Sequence, residues 1–394
     1  MTTVANDQGV ELSSEAFAER IFGSALGMME MYSVYLGDRL GWYRALAEGG
    51  AATPGELVAR AGGSERYARE WLEQQAVVGI LTVTDRGAGS AGPQDQDGAG
   101  SAGPQDQDGA GSGAPENKRA AGERRFALPS GHAEVLTDES SLSFLAPLAR
   151  FVGGVQLHKL VHAYRHGGGV GWSELGADAR EAQADMNRPW FEHELPGTLA
   201  RVDEVHRVLS RPGARIADIG FGGGWSSIAL ARAYPQATVE GIDIDAPSVE
   251  LARTNADAAG LESRVHFHLA DAATLSEDGY DAIFAFECIH DMPYPVEVLA
   301  AARRAVKPDG MVIVMDEAVH ESFTAPGDDL ERLMYGYSLL VCLPDGLTHD
   351  HSVGTGTVMR PETLRRYARE AGFEDLSILP TGEFGFWRFY HLQQ

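Results

Sequence analysis

The chain has 394 residues, 57 of them Asp or Glu against 32 Lys or Arg, for a formal charge of −25 at 44% hydrophobic content. This acidity excludes a general polyanion binder, because displacing the counterions of phosphates takes cationic side chains. The length leaves room for two or three domains with a sizeable core. With Cys288 and Cys342 as the only cysteines, a disulfide framework is excluded and a reducing compartment is indicated. The first twenty residues show no basic segment followed by an apolar run, and no stretch reaches the ~18 apolar residues of a membrane span, so a cytoplasmic protein is expected.

Residues 1–139 read as the first domain. Within it, 16–47 form two apolar helices carrying Met28, Met29, Met31, Tyr32, Tyr35, Leu36, Leu40, Trp42 and Tyr43. That much apolar surface on a small module predicts a subunit interface and hence a homodimer. Thr53-Pro54 opens a third helix that stops at Gly62-Gly63. Ser64 opens a fourth, running to about Gly79, with Tyr67, Trp71, Leu72 and Ala76 on one face. Residues 80–84 and 124–128 have strand patterning, which completes the helix, turn, helix, strand, loop, strand order of a winged helix. The loop repeats GAGSAGPQDQD letter for letter at 87–97 and 98–108. It holds no large apolar residue through Pro115, so 87–115 is expected to be a disordered insertion.

Residues 140–210 read as a helical bridge and substrate lid, with Phe144, Leu145, Phe151, Leu157, Leu160 and Tyr164 on apolar faces and a break at Gly167-Gly168-Gly169. From 211 to 394 apolar runs alternate with helical stretches, as in βα units on a parallel sheet. The strand 215–219 runs into Gly220-Phe221-Gly222-Gly223-Gly224, followed by a helix over 226–234. Glycines there let the backbone turn tightly and approach a ligand, and the helix N-terminus offers free N–H groups. The strand 238–242 ends at Asp243, where a doubly wound fold places the acid that accepts ribose hydroxyls. The strand 265–269 ends in Asp271-Ala272, and 281–286 is followed by Glu287-Cys288-Ile289-His290-Asp291. A turn, Lys307-Pro308-Asp309-Gly310, precedes the strand 311–315.

Taken in order, Asp218-x-Gly220-x-Gly222-x-Gly224, Asp243, Asp271 and the Lys-Pro-Asp-Gly turn resemble the class I S-adenosylmethionine-dependent methyltransferases over about 175 residues. The resemblance implies an α/β, Rossmann-like sheet of seven strands whose last, at 384–392, is antiparallel and lies beside 376–379. It also implies an N-terminal α-helical winged-helix dimerisation domain. Carried over, Gly220, Gly222 and Gly224 would line the methionine end of the cofactor S-adenosylmethionine, Asp243 would hold the ribose, and Asp271 the adenine amino group. Asp218, Ala272 and Glu287 are expected in the same site. No pyrophosphate is present in this cofactor, so acids near the glycine turn are tolerable where a dinucleotide would be repelled.

With the winged helix, the His290-Asp291 pair resembles the small-molecule O-methyltransferases, in which such a pair supplies the general base for an acceptor hydroxyl. A neutral imidazole suits a phenolic or enolic proton, and Asp316, with Glu317 beside it, would orient the ring. The chain departs from that family in having no acid within 354–359. A second assembly of the residues, His349 and His351 with His290 and Asp291 as a His, His, carboxylate metal site, resembles the 2-oxo-acid C-methyltransferases that hold a non-haem iron. A third reading is a winged-helix DNA-binding regulator that senses the cofactor. The fourth helix weighs against it, because Glu65, Glu70 and Glu73 share it with Arg66 and Arg69, whereas groove insertion calls for a basic exposed face.

Overall fold

The computed structural model describes residues 13–85, 124–275 and 279–394, and the tandem repeat lies outside them. Two compact units are present, residues 1–138 and 139–394. Among the described residues no helix is long and apolar enough to cross a membrane.

In the first unit the apolar run at 16–47 divides into α1 (Ser14–Arg39) and α2 (Trp42–Gly49), parted at Gly41, whose φ of 68° suits glycine. Next come α3 (Pro54–Ala61), α4 (Glu65–Val77), the antiparallel ribbon β1 (Thr82–Asp85) and β2 (Arg124–Ala127), and α5 (Ser130–Thr137). A capping box starts α3: the Thr53 hydroxyl accepts from Glu56 N–H and the Glu56 carboxylate accepts from Thr53 N–H. The core forms where α1 crosses α4. Trp71 packs edge-on to Trp42 and Tyr43 and donates through Nε1 to the Ser33 carbonyl at 2.9 Å. A Cβ on Gly37 would stand 2.3 Å from the Trp71 ring.

One feature of this unit differs from the sequence reading, and one agrees with the weight it placed against DNA. The buried face of α4 is Ala68, Trp71, Leu72 and Gln75, and Tyr67 is 75% exposed; it stands one position, or about 100°, off the stripe. Among the described residues, four arginines on α4 and β2 are paired with acids. Arg66 pairs with Glu70, Arg69 with Glu65, Arg124 with Glu73 and Arg125 with Glu56.

The second unit begins with helices α6 (Ala146–Gly154), α7 (Leu157–His166) and α8 (Trp172–Pro189), followed by a π turn, α9 (Leu195–Ala200) and α10 (Asp203–Leu209). The glycines at 167–169 end α7, and Gly176 kinks α8. A seven-stranded sheet follows. Its strands are β3 (Arg215–Ile219), β4 (Thr238–Asp243), β5 (Val265–Leu269), β6 (Tyr280–Phe286), β7 (Val306–Glu317), β8 (Asp375–Ile378) and β9 (Trp387–Gln393), in the order β5-β4-β3-β6-β7-β9-β8. Only β9 runs against its neighbours, β7 and β8. Helices α11 (Trp225–Ala233) and α12 (Ala246–Ala258) cover one face of the sheet with α10. Helices α13 (Pro295–Ala305) and α16 (Pro361–Glu370) cover the other. Burial on both faces accounts for the unbroken apolar runs in β3, β6 and β7. The expected turn at 307–310 is instead an excursion inside β7. Val306 pairs with Tyr280 and Met311 with Ala282, so four residues stand opposite Asp281, which Lys307 Nζ holds at 2.8 Å.

The crossing order reverses between β3 and β6, and it is at this switch point that doubly wound sheets bind ligands. Two short helices close the same end of the sheet, α14 (Asp329–Tyr337) and α15 (Leu343–Gly346), joined by a π turn. The α7–α8 loop is fastened to this segment: Val170 N–H donates to the Pro344 carbonyl at 3.0 Å and Trp172 N–H to Asp345 Oδ1 at 2.7 Å.

Candidate active site

At the end of β3 the chain turns through Gly220, Gly222 and Gly224, with φ of 66°, 52° and 79°, values that L side chains adopt only under strain. Gly220 also sits so close to the β6 side that an added Cβ would lie 2.7 Å from Cys288 Cβ. Gly222 N–H donates to Asp243 Oδ2 at 3.0 Å, and Asp243 Oδ1 accepts from Asp245 N–H at 2.8 Å. Burial raises the Asp243 carboxyl above its usual range, against the pull of these backbone donors. Asp271 is exposed and caps the short turn Ala272–Thr274 through Ala273 N–H. Ala272 is buried beneath it.

Asp218 takes a different place. It is fully buried, its Oδ2 accepts from the hydroxyls of Ser226 and Ser227 at 2.6 Å each, and burial pushes its carboxyl up to about 6. It ties the first turn of α11 to β3 and is not among the residues lining the pocket above the glycine turn.

That pocket is lined by Gly220–Gly223, Trp225, Ser226 and Ser248 on one side and by Trp172, Arg180, Gln183, Ala184 and Asn187 of α8 on the other, with Phe191, Phe286 and Glu287. Arg180, Gln183 and Asn187 fall at i, i+3 and i+7, one face of the helix. Glu287 has a left-handed φ of 49° and collects three donors, Trp387 Nε1, Asn187 Nδ2 and Gln183 Nε2. Burial still pushes its carboxyl up to about 7.

Three residues beyond Glu287, the ring of His290 is 3% exposed. Its Nδ1 lies 2.8 Å from Asp316 Oδ1 and 3.3 Å from Glu317 Oε2, and its Nε2 lies 3.1 Å from Asp291 Oδ1. Burial opposes charge on the ring, but Asp291, Asp316 and Glu317 together outweigh it and hold its pKa well above the ordinary imidazole value. The two neighbouring acids diverge. Asp316 stays below the usual range because the imidazolium overcomes its burial, while burial drives Glu317 well above it. The stretch 354–359, without an acid, supplies Gly356 N–H to the His290 carbonyl at 3.1 Å.

Among the described residues, two groups are close enough to share an ion: His290 with Asp291 and Cys342, and His290 with Asp316 and Glu317. His349 and His351 join neither, so the expected His290, His349, His351 iron set is not assembled. Both loop histidines are exposed while His290 is buried. The Tyr294 hydroxyl, donating to the Asp350 carbonyl, holds their loop outside the cluster.

Residues 210–344 match a family model described as a methyltransferase domain. The ubiquinone biosynthesis O-methyltransferase of Aromatoleum aromaticum is 31% identical over 216 residues, which span 52% of this chain and 86% of that protein. The chain belongs to the class I S-adenosylmethionine-dependent methyltransferases. Solved structures share the fold of this methyltransferase at lower identity. The mitomycin 7-O-methyltransferase MmcR aligns over 97% of this chain and 99% of its own, with a TM-score of 0.65 at 20% identity. Human N-acetylserotonin methyltransferase in complex with SAM aligns over 100% of this chain and 99% of its own, with a TM-score of 0.61 at 18% identity.

The cofactor of this methyltransferase is S-adenosylmethionine, and the pocket fits it. The glycine turn gives backbone access, and Glu287 is the acid and Arg180 the basic side chain on the lining; Asp243 adjoins it through Gly222 N–H, while Gly224, Asp271 and Ala272 are not among its lining residues. The sequence motifs did not disclose Arg180, Gln183, Asn187 or Trp387. A polar i, i+3, i+7 stripe on α8, flanking buried Leu175, Ala179 and Ala182, was the available signal.

Proposed function

We propose that the protein methylates a hydroxyl of a small phenolic or enolic metabolite. Gly220, Gly222, Gly224, Asp243, Asp271, Ala272 and Glu287 would hold the cofactor, and His290, Asp291 and Asp316 would act on the acceptor's proton. The observation that carries this reading is the buried imidazole beside the cofactor pocket, with a carboxylate on each ring nitrogen. The O-methyltransferase name of the sequence relative supports oxygen as the acceptor atom.

Bound in the pocket, the cofactor supplies an electrophilic methyl group on a sulfonium. Asp243 would accept from the ribose hydroxyls and Asp271 from the adenine amino group; Arg180, on the pocket lining, is ion-paired with Asp245 at 2.8 Å. Asp316, kept ionised, fixes Nδ1–H and leaves Nε2 toward Asp291, whose side chain is 32% exposed and is the member of the cluster that an acceptor reaches. In the resting protein the ring carries its proton, so it receives the acceptor's proton only after it has been emptied. Turnover therefore rises with pH above the ordinary imidazole range. Asp291→Asn removes the strongest charge favouring the imidazolium, so the rising limb of kcat against pH moves to lower pH. A limb that stays in place, or moves up, contradicts the assignment.

The region 140–210 would serve as the substrate lid, and α1 as the dimer contact. Phe17, Ile21, Phe22, Leu26 and Met29 on α1 are 50–66% exposed, whereas Val34 and Gly37 are its only buried residues. An apolar stripe of this length is covered most economically by a second copy. Ile21→Glu with Phe22→Glu converts the dimer to a monomer in light scattering; a wild-type chain that is monomeric at micromolar concentration rejects this part of the reading.

A further inference from the structure

Asn187 has no role in the scheme above, yet its surroundings are specific. It is 7% exposed and lies on the α8 face that lines the pocket. Its Nδ2 donates to Glu287 Oε2. A carboxylate accepts only donors, so this bond orients the amide with nitrogen toward Glu287 and oxygen away. That oxygen, Oδ1, is buried and meets no donor, a state rare enough in folded proteins to call for a partner.

We infer that Asn187 Oδ1, with the Glu287 carboxylate beside it, is the seat of the α-ammonium group of the cofactor's methionine end. The inference rests on the pocket being the cofactor site. The cofactor's donors are its ammonium, its ribose hydroxyls and its adenine amino group. Strand order separates them: Asp243 and Asp271 end β4 and β5 on one side of the glycine turn, and Glu287 ends β6 on the other. The ammonium is the donor left for the β6 side. Glu287 reaches there through its left-handed backbone, and its carboxyl, raised to about 7 by burial, gains an opposite charge when the site fills. The seat reads the amino acid and not the methyl group, so substrate and demethylated product bind alike through it.

The test is calorimetric binding to the full chain of three ligands: S-adenosylhomocysteine, its deaminated analogue with the carboxylate kept, and 5′-methylthioadenosine, which lacks the amino-acid end. Asn187→Leu weakens S-adenosylhomocysteine by roughly ten- to a hundredfold and leaves the other two within about twofold of wild type. The unchanged pair also reports that the variant is folded. Where Asn187→Leu binds none of the three, Asn187→Ala, which inserts no bulk, must show the selective loss. Equal loss on all three ligands by both variants, or unchanged S-adenosylhomocysteine affinity, overturns the inference. A wild-type chain that binds none of the ligands rejects the cofactor site itself, before any variant is made.

Discussion

Asp243→Ala weakens S-adenosylmethionine binding by about a hundred- to ten-thousandfold. The magnitude follows from two charge-assisted hydrogen bonds to the ribose at roughly 1.5–3 kcal/mol each, where 1.4 kcal/mol is about tenfold in affinity. The same carboxylate also holds Gly222 N–H at 3.0 Å, so its removal loosens the glycine turn as well as the ribose. Asp243→Asn keeps one acceptor oxygen and falls between the two. Calorimetry reads this directly, and an alanine variant with wild-type affinity removes Asp243 from the cofactor site.

His290→Ala lowers kcat by about a hundred- to ten-thousandfold, the range in which a positioned acid or base acts, and leaves cofactor affinity within about twofold. The ring is buried against Asp316, Asp291 and Glu317, and its partners are these acids and not the glycine turn or Asp243, so chemistry and cofactor binding are expected to separate. Removing it leaves the buried Asp316 carboxylate without its counter-ion, so the variant takes up a proton there. Its thermal stability then improves as pH falls. A fully active His290→Ala enzyme eliminates the proton-transfer role.

The glycine turn, Asp243 and Asp271 were legible because each lies at the end of a strand whose apolar run and following helix are local features. His290 with Asp291 and Asp316 was legible for the same reason, since β6 and β7 are neighbours and their ends meet. The α8 contribution was hidden: Asn187 and Glu287 are 100 residues apart in the chain, and helical periodicity says which residues share a face but not what that face meets. Tyr67 shows the converse error, an aromatic assigned to a buried stripe that runs one position away. His349 and His351 had metal-ligand chemistry, but their exposed loop keeps them from the buried imidazole. Asp218, inside the glycine motif, is buried in the core and accepts from the Ser226 and Ser227 hydroxyls. A motif gives position in the chain and not the direction of the side chain.

The central claim is methyl transfer to oxygen through the His290 cluster. The measurement that tests it is product analysis by NMR after incubation with labelled S-adenosylmethionine and a panel of phenols and 2-oxo acids, with and without added ferrous iron. The account predicts a labelled methyl carbon bonded to oxygen, on a phenol or enol, at a rate that iron does not change. A methyl group on carbon of a 2-oxo acid, formed only when iron is supplied, would contradict it.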